Sequence, residues 1–222
     1  MRRRTMHSRW TVLFLLMVLV AAMMLCGCKT PCIVNTIRPW SPEDNQSNSA
    51  LEILRMGSDF SSFAEFDVDK TYKTAKVGIE YYENGRLVEV SDKGTQEIYG
   101  HGGLGRHKDH INGVAGFSFQ GGKGVFGIAP DGLCGGVSDI ELRNYKKSDE
   151  DGLQWAGICS EQAITDGAKI YLGIVNSGGD GLNPGVFDNP GEDIPSARNL
   201  PKGKTWLFYI VFSSDESQTL EI

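Results

Sequence analysis

Apolar and polar positions alternate with period two over long stretches of this chain. Ala64, Phe66 and Val68 interleave with Phe63, Glu65 and Asp67, and Ala75, Val77, Ile79 and Tyr81 share one face against Lys76, Gly78 and Glu80. That period places alternate side chains on opposite faces of a strand. Glu83-Asn84-Gly85-Arg86 interrupts the alternation. Asn-Gly suits the two positive-φ positions of a type I′ turn, so a hairpin is predicted there. Its return strand carries Leu87, Val88 and Val90. Further strands are predicted over 114–119, 125–129, 137–142, 153–158, 168–175 and 205–212. The last, Trp206-Leu-Phe-Tyr-Ile-Val-Phe212, is almost continuously apolar. It should be a central strand buried on both faces.

About nine short strands joined by Gly-rich connections imply an all-β fold, a β-sandwich or jelly-roll-like domain. One helical signal stands before them. Ser49-Ala50-Leu51-Glu52 has the form of a capping box and Gly57 supplies a stop, predicting one short N-terminal helix. Residues 29–48 hold Pro31, Pro39 and Pro42 with a polar run from Asn45 to Asn48, and read as a tether. The longest connection, 176–204, is rich in Gly, Pro and Asp.

The first 28 residues follow another pattern. Arg2, Arg3, Arg4 and Arg9 form a positive segment without an acid, and of positions 10–25 only Thr11 is not apolar. Leu25-Cys26-Gly27-Cys28 comes next, then Lys29-Thr30-Pro31. The order is that of an export signal with a small residue at its cleavage point. The Leu-x-Gly-Cys ending resembles the lipobox of bacterial lipoproteins. The resemblance implies cleavage before Cys28, lipidation of that cysteine, and a mature domain anchored in the cell envelope. With Lys29 after the cysteine, it implies the outer membrane and a periplasm-facing domain. Domain limits follow: 1–27 signal peptide, 28–48 lipidated cysteine and tether, 49–222 a single β-rich domain. An ordinary secretory signal and an uncleaved anchor are the rival readings.

Removing residues 1–27 leaves 18 basic against 28 acidic residues, a net charge of −10 in place of −6. So acidic a body does not suit nucleic acid or anionic lipid as a partner. Cys32, Cys134 and Cys159 remain beside Cys28. In an oxidising compartment one disulfide is expected, with Cys134–Cys159 the preferred pair, since Cys32 lies in the tether. Free thiols, or Cys32 pairing between chains, are the alternatives.

Two clusters bear on chemistry. His101, His107 and His110 stand close together with Asp109, and imidazole and carboxylate are ligands for zinc, copper or nickel. An ordinary polar loop would hold the same residues. The connection from Asp180 to Asp193 gathers Asp180, Asn183, Asp188, Asn189, Glu192 and Asp193, oxygen donors of the kind calcium takes, but without the order of an EF-hand loop. Gly100/Gly102/Gly105 and Gly122/Gly124/Gly127 match a dinucleotide fingerprint only in spacing. The second runs into an expected strand rather than a helix. No Gly-x-Ser-x-Gly elbow is present. Asp149-Glu150-Asp151 is expected to be a solvated turn. The chain thus reads as a non-enzymatic binding or structural module with an envelope protein or glycan as partner and no cofactor. The alternative is a lipid-anchored metal-binding protein or metal-dependent enzyme using the His101–His110 segment.

Overall fold

The computed structural model describes residues 35–41, 57–98, 110–130, 136–149, 152–178, 182 and 200–215. Among them are eleven strands: β1 (Thr36–Pro39), β2 (Phe60–Asp69), β3 (Thr74–Glu83), β4 (Arg86–Glu97), β5 (His110–Gln120), β6 (Lys123–Pro130), β7 (Gly136–Glu141), β8 (Leu153–Gly157), β9 (Gln162–Ala163), β10 (Lys169–Ser177) and β11 (Lys204–Ser213). They form two antiparallel sheets of an all-β sandwich. The first has six strands in the order β7-β6-β5-β2-β1-β9, the second five in the order β4-β3-β11-β10-β8.

Alternation dictates how the sheets meet. Phe117 and Phe119 of β5, Phe60 and Phe66 of β2 and Phe126 of β6 join Trp206, Phe208, Ile210 and Phe212 of β11 in one core. At its centre the rings of Phe117 and Phe208 stack with centroids 3.9 Å apart. Burying an aromatic side chain of this size stabilises a fold by roughly 2–3 kcal/mol. Room for the stack depends on Gly173, where a Cβ would stand 2.5 Å from the Phe117 ring. Ser62 adds a polar link, its hydroxyl donating to the Leu172 carbonyl at 2.7 Å.

All nine expected strands are present. The Asn84-Gly85 hairpin forms with φ of 49° and 77°, the positive values that its turn type requires. Strand β11 is central in its sheet and buried on both faces. Gly122 (φ 75°) lies in the turn before β6, which carries Gly124 and Gly127, so that glycine spacing belongs to a turn and a strand.

Two strands were not expected. Strand β1 arises inside the stretch read as tether, where it pairs with β2 along its whole length and with β9 at Thr36 and Ile37. Ile37 is fully buried, and this apolar anchor draws the segment into the sheet. Among the described residues the β structure therefore begins at Thr36, ahead of the boundary drawn at residue 49. The helix expected from Ser49 lies outside the described residues; Gly57, its expected stop, lies in a turn.

Candidate functional site

The outer face of the five-stranded sheet gathers the most unusual chemistry. Alternation turns Lys76, Gly78, Glu80 and Tyr82 of β3 away from the core, with Leu207 and Tyr209 of β11 beside them. A register shift opposes Tyr171 to Tyr209 and Gly173 to Phe208, leaving Leu172 as an extra residue. This bulge changes the alternation in β10: Ile170, Leu172 and Val175 enter the core, while Tyr171 and Ile174 join the outer face. Leu182 and Leu200, from the connection between β10 and β11, pack on that face. The face is consequently a second apolar layer, in which Ile174 and Leu207 are fully buried.

Glu80 is set in this layer with its side chain 6% exposed. Tyr82 and Tyr171 both donate hydroxyl protons to Glu80 Oε2, at 2.9 and 3.0 Å. Lys169 Nζ donates to Oε1 and lies 4.5 Å from the centroid of the Tyr209 ring, a cation–π contact. Tyr209 in turn donates to Asp92 Oδ1 at 2.9 Å, and Lys76 Nζ stands 2.6 Å from Asp92 Oδ2. Two carboxylates, two ammonium groups and three phenols thus form one network across β3, β4, β10 and β11.

The electrostatics follow from burial. Loss of solvent first, and then the charge and hydrogen bond of Glu80, raise the Tyr171 pKa well above the ordinary phenol value. Burial and Glu80 raise Tyr82, and burial and Asp92 raise Tyr209. Burial works to raise Asp92, but hydrogen bonds from Lys76 and Tyr209 prevail and hold it below the usual carboxylate range. Protonated phenols are poor nucleophiles and poor bases. Both Glu80 oxygens are engaged, so the network is suited to clamping strands together. Next to it, Leu87, Val88 and Val90 of β4 remain exposed, as does Trp155 of β8.

The outer face of the six-stranded sheet is mixed, with Glu65, Asp67 and His110 beside Phe63, on which Trp40 packs edge-on. His110 is the first residue of β5 rather than part of a loop, and its Nδ1 lies 2.8 Å from Asp67 Oδ1 on β2. Asn112, with its amide turned to donate, reaches both Asp67 oxygens at 3.2 Å. When Nδ1 carries the proton, Asp67 orients the ring and leaves the Nε2 lone pair available, the arrangement that carboxylates give to metal-ligating histidines. Asp67 was not among the expected donors. Its alternation with Phe66 and Val68 marked it as outward-facing, but only the β2–β5 register brings it beside His110.

At the end of the sandwich where β3 turns into β4, Lys204 Nζ donates to both Asp149 oxygens, at 2.8 and 3.1 Å, and to the Asn144 carbonyl at 2.8 Å. Asp149 was expected in a solvated turn. Its side chain is instead only 13% exposed, because Lys204 draws it onto the end of the fold. Burial works to raise the Asp149 pKa, but the Lys204 hydrogen bond outweighs it and the pKa is lowered.

Of the other expected site residues, Cys28, His101, His107, Asp109 and Cys134 lie outside the described residues. So do Asp180, Asn183, Asp188, Asn189, Glu192 and Asp193. Cys159 is exposed, two residues beyond β8. Among the described residues no three His, Cys, Asp or Glu side chains converge as a metal-binding group, and no helix is long and apolar enough to cross a membrane. Compared with known proteins, the chain matches no protein-family model, no curated protein and no solved structure.

Proposed function

We propose that this chain is a lipid-anchored protein of the bacterial cell envelope. Its β-sandwich acts as a non-enzymatic binding or structural module for an envelope protein or glycan. The observation that carries this reading is the Leu25-Cys26-Gly27-Cys28 sequence behind an arginine-rich start and an apolar segment. Two or three acyl chains on Cys28 would hold a folded domain stably at a membrane, where one alone binds marginally. Lys29 after the cysteine favours the outer membrane, with the domain facing the periplasm. A sandwich whose buried carboxylates are spent on internal partners suits a rigid module. Cys28→Ser is expected to abolish lipid labelling and to leave either uncleaved precursor or protein released from membranes. A Cys28→Ser protein that fractionates and migrates as the wild type does would rule the reading out.

The Asp67–His110 pair favours one second reading, a metal centre in which His101, His107 and Asp109 join His110. It requires stoichiometric zinc, copper or nickel in the purified protein, lost in a His107→Ala/His110→Ala variant. Metal at background level at neutral pH would dismiss it.

A further inference from the structure

Asn35 is held at one end of the sandwich by four hydrogen bonds. Its backbone N–H donates to the Asp67 carbonyl at 2.7 Å, and its own carbonyl accepts from the Ile164 N–H at 2.7 Å. Its side-chain amide donates to Asp69 Oδ2 at 2.8 Å, and its side-chain oxygen accepts from the Asp69 N–H at 2.8 Å. The residue is left-handed, with φ 72°, a conformation that asparagine tolerates better than most side chains. Asp69 is fixed in turn by the Thr71 N–H at 2.7 Å. Asn35 is therefore fixed at a determined point of the fold, beside the last residues of β2 and the first of β5.

The distance from that point to Cys28 is limited by covalent geometry. Six residues lie between Cys28 and Asn35, and the seven Cα–Cα steps from one to the other span at most about 25 Å fully extended. A flexible coil of that length has an r.m.s. reach of about 15 Å. The tether read from sequence, ending at residue 48, would have reached roughly 25 Å as a coil. The ten residues of β2 run from Asp69, at the Asn35 end, to Phe60 at the other, a rise of about 30 Å. Bringing the far end against the bilayer would lift Asn35 about 30 Å from it, farther than the fully stretched tether allows.

We infer that the end of the sandwich marked by Asn35, Asp69, Lys70 and Ile164 is its membrane-facing surface, with lipid headgroups as its partner. The opposite end, carrying the Asn84-Gly85 and Gly121-Gly122 turns, is kept off that membrane and open to other partners. The inference rests on lipidation at Cys28. It adds to that reading an orientation which anchoring alone would not impose.

Energy transfer in vesicles tests it. The full lipidated chain is reconstituted in phosphatidylcholine vesicles containing a headgroup-labelled acceptor lipid, with a genetically encoded fluorescent residue replacing either Lys70 or Gln120. Both positions are exposed and stand at opposite ends of the sandwich. Transfer should be several-fold more efficient from position 70 than from position 120. A Gly/Ser insert of about 20 residues after Ile33 raises the r.m.s. reach to nearly 30 Å and should narrow the difference. Equal transfer from the two positions in vesicle-bound protein would overturn the orientation while leaving the anchoring intact. A difference unchanged by the insert would overturn the tether as its cause. Protein that does not float with vesicles would remove the anchoring, and the orientation with it.

Discussion

The two sheets treat their outer faces in opposite ways. On the six-stranded sheet Arg38 and Glu65 form an ion pair at 3.0 Å, with the arginine half exposed and the glutamate 15% exposed. Lys123 and Glu141 face each other at 3.8 Å, both largely in water. On the five-stranded sheet the same kinds of group, Lys169 and Glu80, meet within a layer that also buries Tyr171, Tyr209 and Leu207. In water an ion pair contributes little, because solvation of the separate charges competes with it. In a buried layer the pair itself gains little over apolar side chains, but losing one partner strands the other. The contrast teaches that identical residue types hold a fold together on one face and merely decorate it on the other.

Glu80→Ala should break the comparison most forcefully. It removes the acceptor for the buried Tyr171 phenol, the half-buried Tyr82 phenol and Lys169, and should cost about 3 kcal/mol in urea denaturation. A loss below about 0.5 kcal/mol would mean that the outer layer is solvated, like its counterpart. Gly78→Ala should come next. Its Cβ would stand 2.3 Å from the hydroxyl end of the Tyr209 ring, which the Asp92 hydrogen bond holds in place. A cost of about 1–3 kcal/mol is expected, and Asp92→Ala should reduce it by freeing the ring to move.

Alkaline titration sharpens the contrast without mutation. Tyr81, between the sheets, is pushed up to about 12 by burial and Glu83, and Tyr82, Tyr171 and Tyr209 are also raised. Their folded values lie above the unfolded phenol value of about 10. The stability they contribute is complete below that value and is lost as pH rises through the folded values. Of the seven tyrosines these four should therefore form tyrosinate late and together with unfolding; a rise near pH 10 without unfolding that exceeds the other three would contradict the buried layer. On the other sheet the sign reverses. Thr71 and Asn35 hydrogen bonds lower the Asp69 pKa, so its contribution is present above the ordinary aspartate value of about 3.9 and is lost as pH falls through the lowered one. The smallest effect is expected from Glu141→Ala, whose pair with Lys123 is largely in water, at most about 0.5 kcal/mol by the same denaturation measurement.

Legibility in the sequence tracked the range of the interactions. The Asn84-Gly85 turn and the run from Trp206 to Phe212 are local patterns, and both take their expected form. Strand β1 was hidden by its prolines. Pro39 pairs with Ala64 on one side only, because β9 stops after meeting Thr36 and Ile37, so its missing N–H falls where β1 is an edge. Two residues give β9 no period to detect. The alternation around Lys76, Gly78 and Glu80 correctly set them on the face opposite the core. It could not say that this face is buried too, since its cover and its partners Tyr171 and Tyr209 come from distant sequence. Asp67 and His110 are similarly far apart in sequence. The compact His101–His110 motif drew attention to one member of that pair, and only the strand register supplies the other.

Strand β4 carries a consequence of its own. At twelve residues it is the longest of the described strands, and it lies at the edge of its sheet. A straight edge of that length would be a template on which another chain could deposit a strand, the first step of aggregation. Twice β4 spends an extra residue against β3, at Val88 and at Lys93. Each bulge bends the strand, increases its local twist and puts the free hydrogen-bonding groups out of register. An incoming strand could thus pair along only a few residues before losing its match.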